Sequence, residues 1–218
     1  MKSNKSRYIL SLCLFLAFVI WTLAVEFIDV RPIGPEGSAV GLAAVNGAFN
    51  SWTGFHPALY ELTDKVELLA LAIVFAFAVL GLIQWIQRKS LKKVDIDIIA
   101  LGGFYLLVLA SYALFEVLKI NFRPVLIEGV LEASYPSSTT LLICTVMPIA
   151  HMQFSKRLPD GTLKRIVLPS IYVYSVLMEI ARTFCGVHWL SDIIGAMLLG
   201  HALNTLYGAI VRSLRPTW

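Results

Sequence analysis

The sequence predicts an all-α membrane protein of six transmembrane helices. Three observations carry that reading. Of its 218 residues, 58% are hydrophobic and only 15% charged, with a mean hydropathy of +0.76; soluble domains run near about 45–50% apolar and about 25% charged. Six separated stretches approach the roughly 20 apolar residues that span hydrocarbon. Basic residues are dense in every second connection and sparse in the others, the pattern that membrane orientation imposes. Residues 1–218 read as a single integral membrane domain with no internal repeat, low-complexity tract or soluble module.

The first predicted span covers about 8–28. Lys2, Lys5 and Arg7 precede it, as they would a signal peptide, but the apolar run is long and "EFIDVRP" offers no small-x-small cleavage site. The second covers about 66–87, uncharged from residue 68 onward. The third is about 96–118, the fourth about 138–154, the fifth about 166–181 and the sixth about 191–212. The fifth is the weakest, because charge returns at Glu179. The connection at 29–65 is the longest. It opens on "RPIGPEG", and its Trp52, Phe55 and Tyr60 predict short helices at the headgroup level.

With the N-terminus inside, thirteen of the eighteen Lys and Arg residues fall on cytoplasmic pieces, from Lys2 through the clusters at 88–93, 156–157 and 164–165 to Arg212 and Arg215. Both termini are then cytoplasmic and the 29–65 loop is outside. Five cations remain outside: Arg31, Lys65, Lys119, Arg123 and Arg182. Cys13, Cys144 and Cys185 lie far apart and predict no disulfide framework. No aromatic–basic interleaving suggests nucleic acid.

The outer polar residues form three clusters. In "LKINFRP", Lys119 and Arg123 stand one helical turn apart, so one face is expected to carry both, with Pro124 ending the helix. In "YPSSTTLL", Ser137, Ser138 and Thr139 follow Pro136 at the start of a span, where a hydroxyl caps and free N–H groups attract anions. In "ARTFCGVHWLSD", Arg182, His188 and Asp192 sit between the last two spans. Arginine forks and a lysine suit a phosphoryl group. A carboxylate one turn from an imidazole fixes its tautomer and leaves the other nitrogen free to attack phosphorus.

Over roughly residues 50–212 the chain resembles the type-2 phosphatidic-acid phosphatases, relatives of the vanadium haloperoxidases, known by K-x6-RP, PSGH and SR-x5-H-x3-D signatures. The third is nearly complete in Arg182, His188 and Asp192, with Ala181 for the serine; the first is shortened to Lys119-x3-Arg123-Pro124; the second reads Pro136-Ser137-Ser138-Thr139. The resemblance implies a lipid phosphatase of the bacterial plasma membrane with an outward-facing site. His188 would be the nucleophile and Asp192 its partner. Lys119, Arg123, Ser137, Ser138, Thr139 and Arg182 would surround phosphate, with no metal and no cofactor.

Thr139 stands where the family places the histidine that protonates the leaving group. Threonine supplies no acidic proton near neutral pH, whereas a leaving phosphate needs little help. The expected substrate is therefore a lipid diphosphate such as a polyprenyl diphosphate, with phosphatidic acid or phosphatidylglycerophosphate as the alternative. Two other readings of Thr139 stand beside it: His56 swings in as acid, or the chain only binds lipid phosphates. A transporter would place its charges near the midplane in broken helices; these gather at helix ends. Plainer expectations also attach to several residues. Lys119 pairs with Glu116 and Arg182 with Glu179. Trp85 and Trp189 join an interfacial belt. Gly195 and Gly200 serve helix packing. His151 and His201 lie away from the site.

Overall fold

The computed structural model describes residues 2–214, with side chains from residue 4 onward, so Arg215 and the Lys2 side chain in the basic count lie outside it. The described chain forms seven α-helices: α1 Lys2–Phe27, α2 Ala43–Thr53, α3 Pro57–Arg88, α4 Ile96–Leu118, α5 Ser138–Arg157, α6 Thr162–Phe184 and α7 Leu190–Leu214. Extended pairing among the described residues is confined to isolated bridges such as Phe122 with Ala133. The predicted third span matches α4. Elsewhere the helices run past the apolar stretch. Thus α3 begins at Pro57, which takes a first-turn position, and its opening turns carry the charged Glu61, Asp64 and Lys65.

Five helices, α1, α3, α4, α6 and α7, are long and apolar enough to cross a membrane. The fourth predicted span, α5, is not among them, and its position explains why. Eleven of its twenty residues are buried, against α3, α4, α6 and α7. A helix sheathed in protein can keep polar groups if they are hydrogen-bonded. Thr145 Oγ1 donates to the Leu141 carbonyl at 2.7 Å, and Gln153 Nε2 to Tyr207 Oη at 2.6 Å. Four of the five apolar helices thus pack against a more polar one, α5.

α1 runs antiparallel to α7. Asn4 Nδ2 donates to Ser213 Oγ at 2.6 Å, and at the opposite end Trp21 Nε1 donates to the Ser191 carbonyl at 3.0 Å. Both described chain ends therefore lie at one end of the bundle. That end also gathers an ion-pair network: Arg88 with Asp95 at 2.8 Å, Lys156 with Asp97 at 2.7 Å and Arg157 with Asp97 at 3.2 Å. The "GVHWLSD" loop lies at the other end.

Small residues let the elements beneath that loop meet closely. A Cβ on Gly200 would stand 2.6 Å from Cys144 Cβ, and one on Gly195 2.6 Å from Tyr135 Oη. Trp189 departs from the expected interfacial belt: it is buried, and its Nε1 donates to the Phe122 carbonyl at 2.6 Å, tying the α6–α7 loop to the α4–α5 connection. Trp85 stays exposed. Of the short helices expected within 29–65, the structure gives one turn at Pro35–Gly37 and α2. α2 is anchored, because its buried Asn46 bonds Ser191 both ways, at 2.9 and 3.0 Å.

Candidate active site

α4 stops at Leu118 because Lys119 adopts the left-handed conformation (φ 50°), its N–H closing onto the Phe115 carbonyl at 3.0 Å. Lys119 and Arg123 therefore do not share a helical face, and Pro124 is not the terminator. The chain instead folds back on itself. Arg123 N–H donates to the Glu132 carbonyl at 3.0 Å and Ser134 N–H to the Asn121 carbonyl at 2.8 Å. That turn-back delivers both cations to one cavity. Arg123 Nε faces Glu132 Oε2 at 3.0 Å, off the axis of a hydrogen bond, and its buried Nη1 has no hydrogen-bond partner.

At the start of α5, Ser137 is the cap, its Oγ accepting from Thr140 N–H at 3.4 Å. Its own N–H donates to the Asp192 carbonyl at 3.2 Å, so this serine spends its polar groups on structure. Ser138, the next residue, lines the cavity. Thr139 does not; it borders an apolar groove instead.

His188 arrives on the loop between α6 and α7. Gly186 makes the turn with φ 75°, where a Cβ would lie 1.9 Å from the Gly54 carbonyl oxygen, so both conformation and space demand glycine. His188 precedes α7, and only Asp192 is in that helix. Asp192 Oδ2 accepts from the Trp189 N–H at 3.0 Å, as an acid in a first helical turn does, and Oδ1 accepts from Asn121 Nδ2 at 3.0 Å. The direct His188–Asp192 gap is 4.0 Å. Ser134 fills it. Its hydroxyl donates to Asp192 Oδ2 at 2.5 Å and lies 2.9 Å from His188 Nδ1. Having spent its one proton on the carboxylate, the hydroxyl accepts from His188, which places the imidazole proton on Nδ1. Nε2 is buried with no partner.

These groups surround a cavity of about 330 Å³, lined by Tyr112, Glu116, Lys119, Arg123, Glu132, Ser134, Ser138 and His188 among others. It adjoins an apolar groove of about 660 Å³ between α3, α4 and α5, and Tyr112, Ser138 and Leu141 border both. Burial pushes the His188 pKa well below its usual value, and the charges of Arg182 and Arg123 push it further; a hydrogen bond to the Ser134 backbone opposes them. A neutral imidazole with its lone pair on Nε2 is a nucleophile.

The remaining expected residues sit further back. Arg182 is buried, its Nη1 donating to Thr63 Oγ1 at 2.9 Å and Asp64 Oδ1 at 2.8 Å, with its guanidinium 5.1 Å above the Tyr60 ring. Its Nε is buried with no hydrogen-bond partner, and its charge acts on His188. It pairs with Asp64, not with Glu179, which accepts from Cys144 Sγ at 3.2 Å. Lys119 and Glu116 form no ion pair among the described residues. His56 is exposed and held away, its Nε2 2.8 Å from the Thr53 carbonyl and its N–H on the Cys185 carbonyl, so the structure does not bring it in as an acid. Four polar residues escaped the sequence reading: Ser134, Asn121, Ser191 and Asn46. Asn121 and Ser134 lie inside or beside the motif stretches; Asn46, one of two asparagines in α2, carried no signal.

Residues 104–215 match the sequence model of the PAP2 superfamily. The chain belongs to that superfamily. The crystal structure of a transmembrane PAP2-type phosphatidylglycerolphosphate phosphatase from Bacillus subtilis shares its fold, with a TM-score of 0.64 at 22% identity over 95% of this chain and 98% of that one. A comparison with curated proteins finds no match. The protein thus has the PAP2 phosphatase fold, in an integral membrane protein of apolar helices.

Proposed function

We propose that this PAP2 protein removes phosphate from a membrane lipid through a phosphohistidine on His188. One observation carries the reading: His188 Nε2 is buried and unpartnered beside Arg123 and Lys119, while Nδ1 is tied through Ser134 to Asp192. Arg123, Lys119 and Ser138 hold the phosphoryl oxygens, and Arg182 adds positive potential from behind. Nε2 attacks in line; the Ser134–Asp192 link stabilises the imidazolium that forms. Water then cleaves the phosphorus–nitrogen bond. Fixed cations stabilise the charge in flight without reorganising.

The lipid tail lies in the apolar groove that continues the cavity. With Thr139 turned to that groove, the favoured substrate is a lipid diphosphate such as a polyprenyl diphosphate, whose phosphate leaves as an anion. A monoester, phosphatidic acid or phosphatidylglycerophosphate, is the second reading, favoured by the name of the Bacillus subtilis neighbour. The basic end of the bundle faces the cytoplasm, so the site opens on the extracytoplasmic face of what we take to be a bacterial plasma membrane. The test is phosphate release by purified protein from a diphosphate and a monophosphate lipid side by side, with His188→Ala as the blank. Turnover abolished by the substitution supports the assignment. Lipid binding without turnover in the unsubstituted protein makes it a lipid-phosphate binder instead.

A further inference from the structure

From the charge inventory of the cavity we infer that Glu116 supplies the proton that a lipid alcohol needs in order to leave, in place of the absent histidine; this rests on the phosphatase function proposed above and, within it, on the monoester substrate. The charged side chains of the wall are Lys119 and Arg123 against Glu116 and Glu132. With His188 neutral, their formal charges cancel. A phosphate monoester brings about −1.5 to −2 charges near neutral pH. Placing that anion beside two carboxylates favours the neutral form of one of them. Glu132 already faces Arg123 at 3.0 Å. Glu116 has no such cation; its neighbour is the uncharged Tyr112 hydroxyl, one turn away on α4. Glu116 takes the proton.

Its place fits the chemistry. Tyr112 borders both the phosphate cavity and the tail groove. With phosphorus beside His188 and the tail in the groove, the scissile oxygen lies at that threshold. Arg123 does not release a proton at working pH, Ser134 is committed to Asp192, and Glu132 is paired. In the first step the His188 Nε2–phosphorus bond forms and the phosphorus–oxygen bond breaks, while the Glu116 proton passes to the departing oxygen, giving the free alcohol. In the second step water attacks phosphorus. Its proton returns to the Glu116 carboxylate and the phosphorus–nitrogen electron pair returns to Nε2.

Glu116→Gln keeps the shape of an exposed helix residue and removes the proton. The experiment compares wild type and variant on a lipid phosphate monoester and on a nitrophenyl phosphate, whose phenolate leaves without protonation. General acids contribute about 10²–10⁴-fold, so the monoester rate falls by about 100-fold or more, and the aryl rate by less than about tenfold. In parallel, calorimetric titration with inorganic phosphate in buffers of different ionisation enthalpy reads proton uptake: present in wild type, lost in Glu116→Gln, retained in Glu132→Gln. Equal losses on both substrates, or uptake that survives Glu116→Gln, overturn the assignment while leaving the phosphatase reading intact. A wild type that releases phosphate from neither substrate removes both.

Discussion

Ser134→Ala is the sharpest perturbation of the site. The hydroxyl is the hydrogen-bond partner of His188 Nδ1 and one of two groups on Asp192 Oδ2. Without it, Nδ1–H faces Oδ2 across 4.0 Å, beyond hydrogen-bond length. Asp192 keeps Asn121, Ser191 and the Trp189 amide, so the loss falls mainly on the imidazole. A buried donor left unpaired costs about 1–3 kcal/mol. Expressed in the transition state, where the ring is cationic, that is about 5- to 150-fold in kcat at about 1.4 kcal/mol per decade. KM changes little, because the hydroxyl stabilises the charge formed in reaction more than the bound phosphate. The assay is phosphate release from lipid in detergent micelles, with thermal unfolding followed in parallel. Ser134→Thr keeps the hydroxyl and recovers most of the loss. A folded Ser134→Ala protein within about twofold of wild-type kcat would mean that His188 and Asp192 pair directly, and the relay would be wrong.

The remaining predictions concern charge, packing and metal. Because the His188 pKa is depressed, the acid limb of kcat/KM, corrected for substrate titration, lies below about 6.5. Arg182→Gln removes a cation from its field and moves the limb up. The same depression acts on stability. As pH falls through about 6.5 towards the folded value, the unfolded chain takes a proton that the folded one refuses, and stability declines. Gly200→Ala sets a methyl 2.6 Å from Cys144 Cβ and costs about 1–3 kcal/mol of stability, read as a lower unfolding midpoint. Activity survives EDTA, because Lys119 and Arg123 supply the charge a divalent ion would bring; complete loss restored by magnesium would contradict that.

What the sequence could show followed the reach of each signal. Apolar runs located the spans because hydropathy is a local property. They missed the start of α3, where charged turns extend the helix, and found α5 although it is less apolar than the others, its polar residues being covered by neighbouring helices. The spacing of Arg182, His188 and Asp192 singled out candidates for the site but not their geometry. Counting residues as one helical face failed twice: Lys119 leaves α4 in a left-handed turn, and His188 sits before α7. Ser134, placed between imidazole and carboxylate by a chain reversal, and Asn46, brought from α2 to Ser191, depend on long-range folding that no local pattern encodes. Thr139 could be read as a departure from PSGH, but its turn toward the apolar groove could not.

The central claim is that His188 carries the phosphoryl group. Rapid mixing with a lipid phosphate, an alkaline quench and mass analysis of the peptide containing residue 188 tests it most directly. The expected result is a phosphoryl adduct on His188 that forms within one turnover and is absent in His188→Ala. Phosphate release with no adduct on that residue, or an adduct elsewhere that forms and decays at the turnover rate, would contradict it.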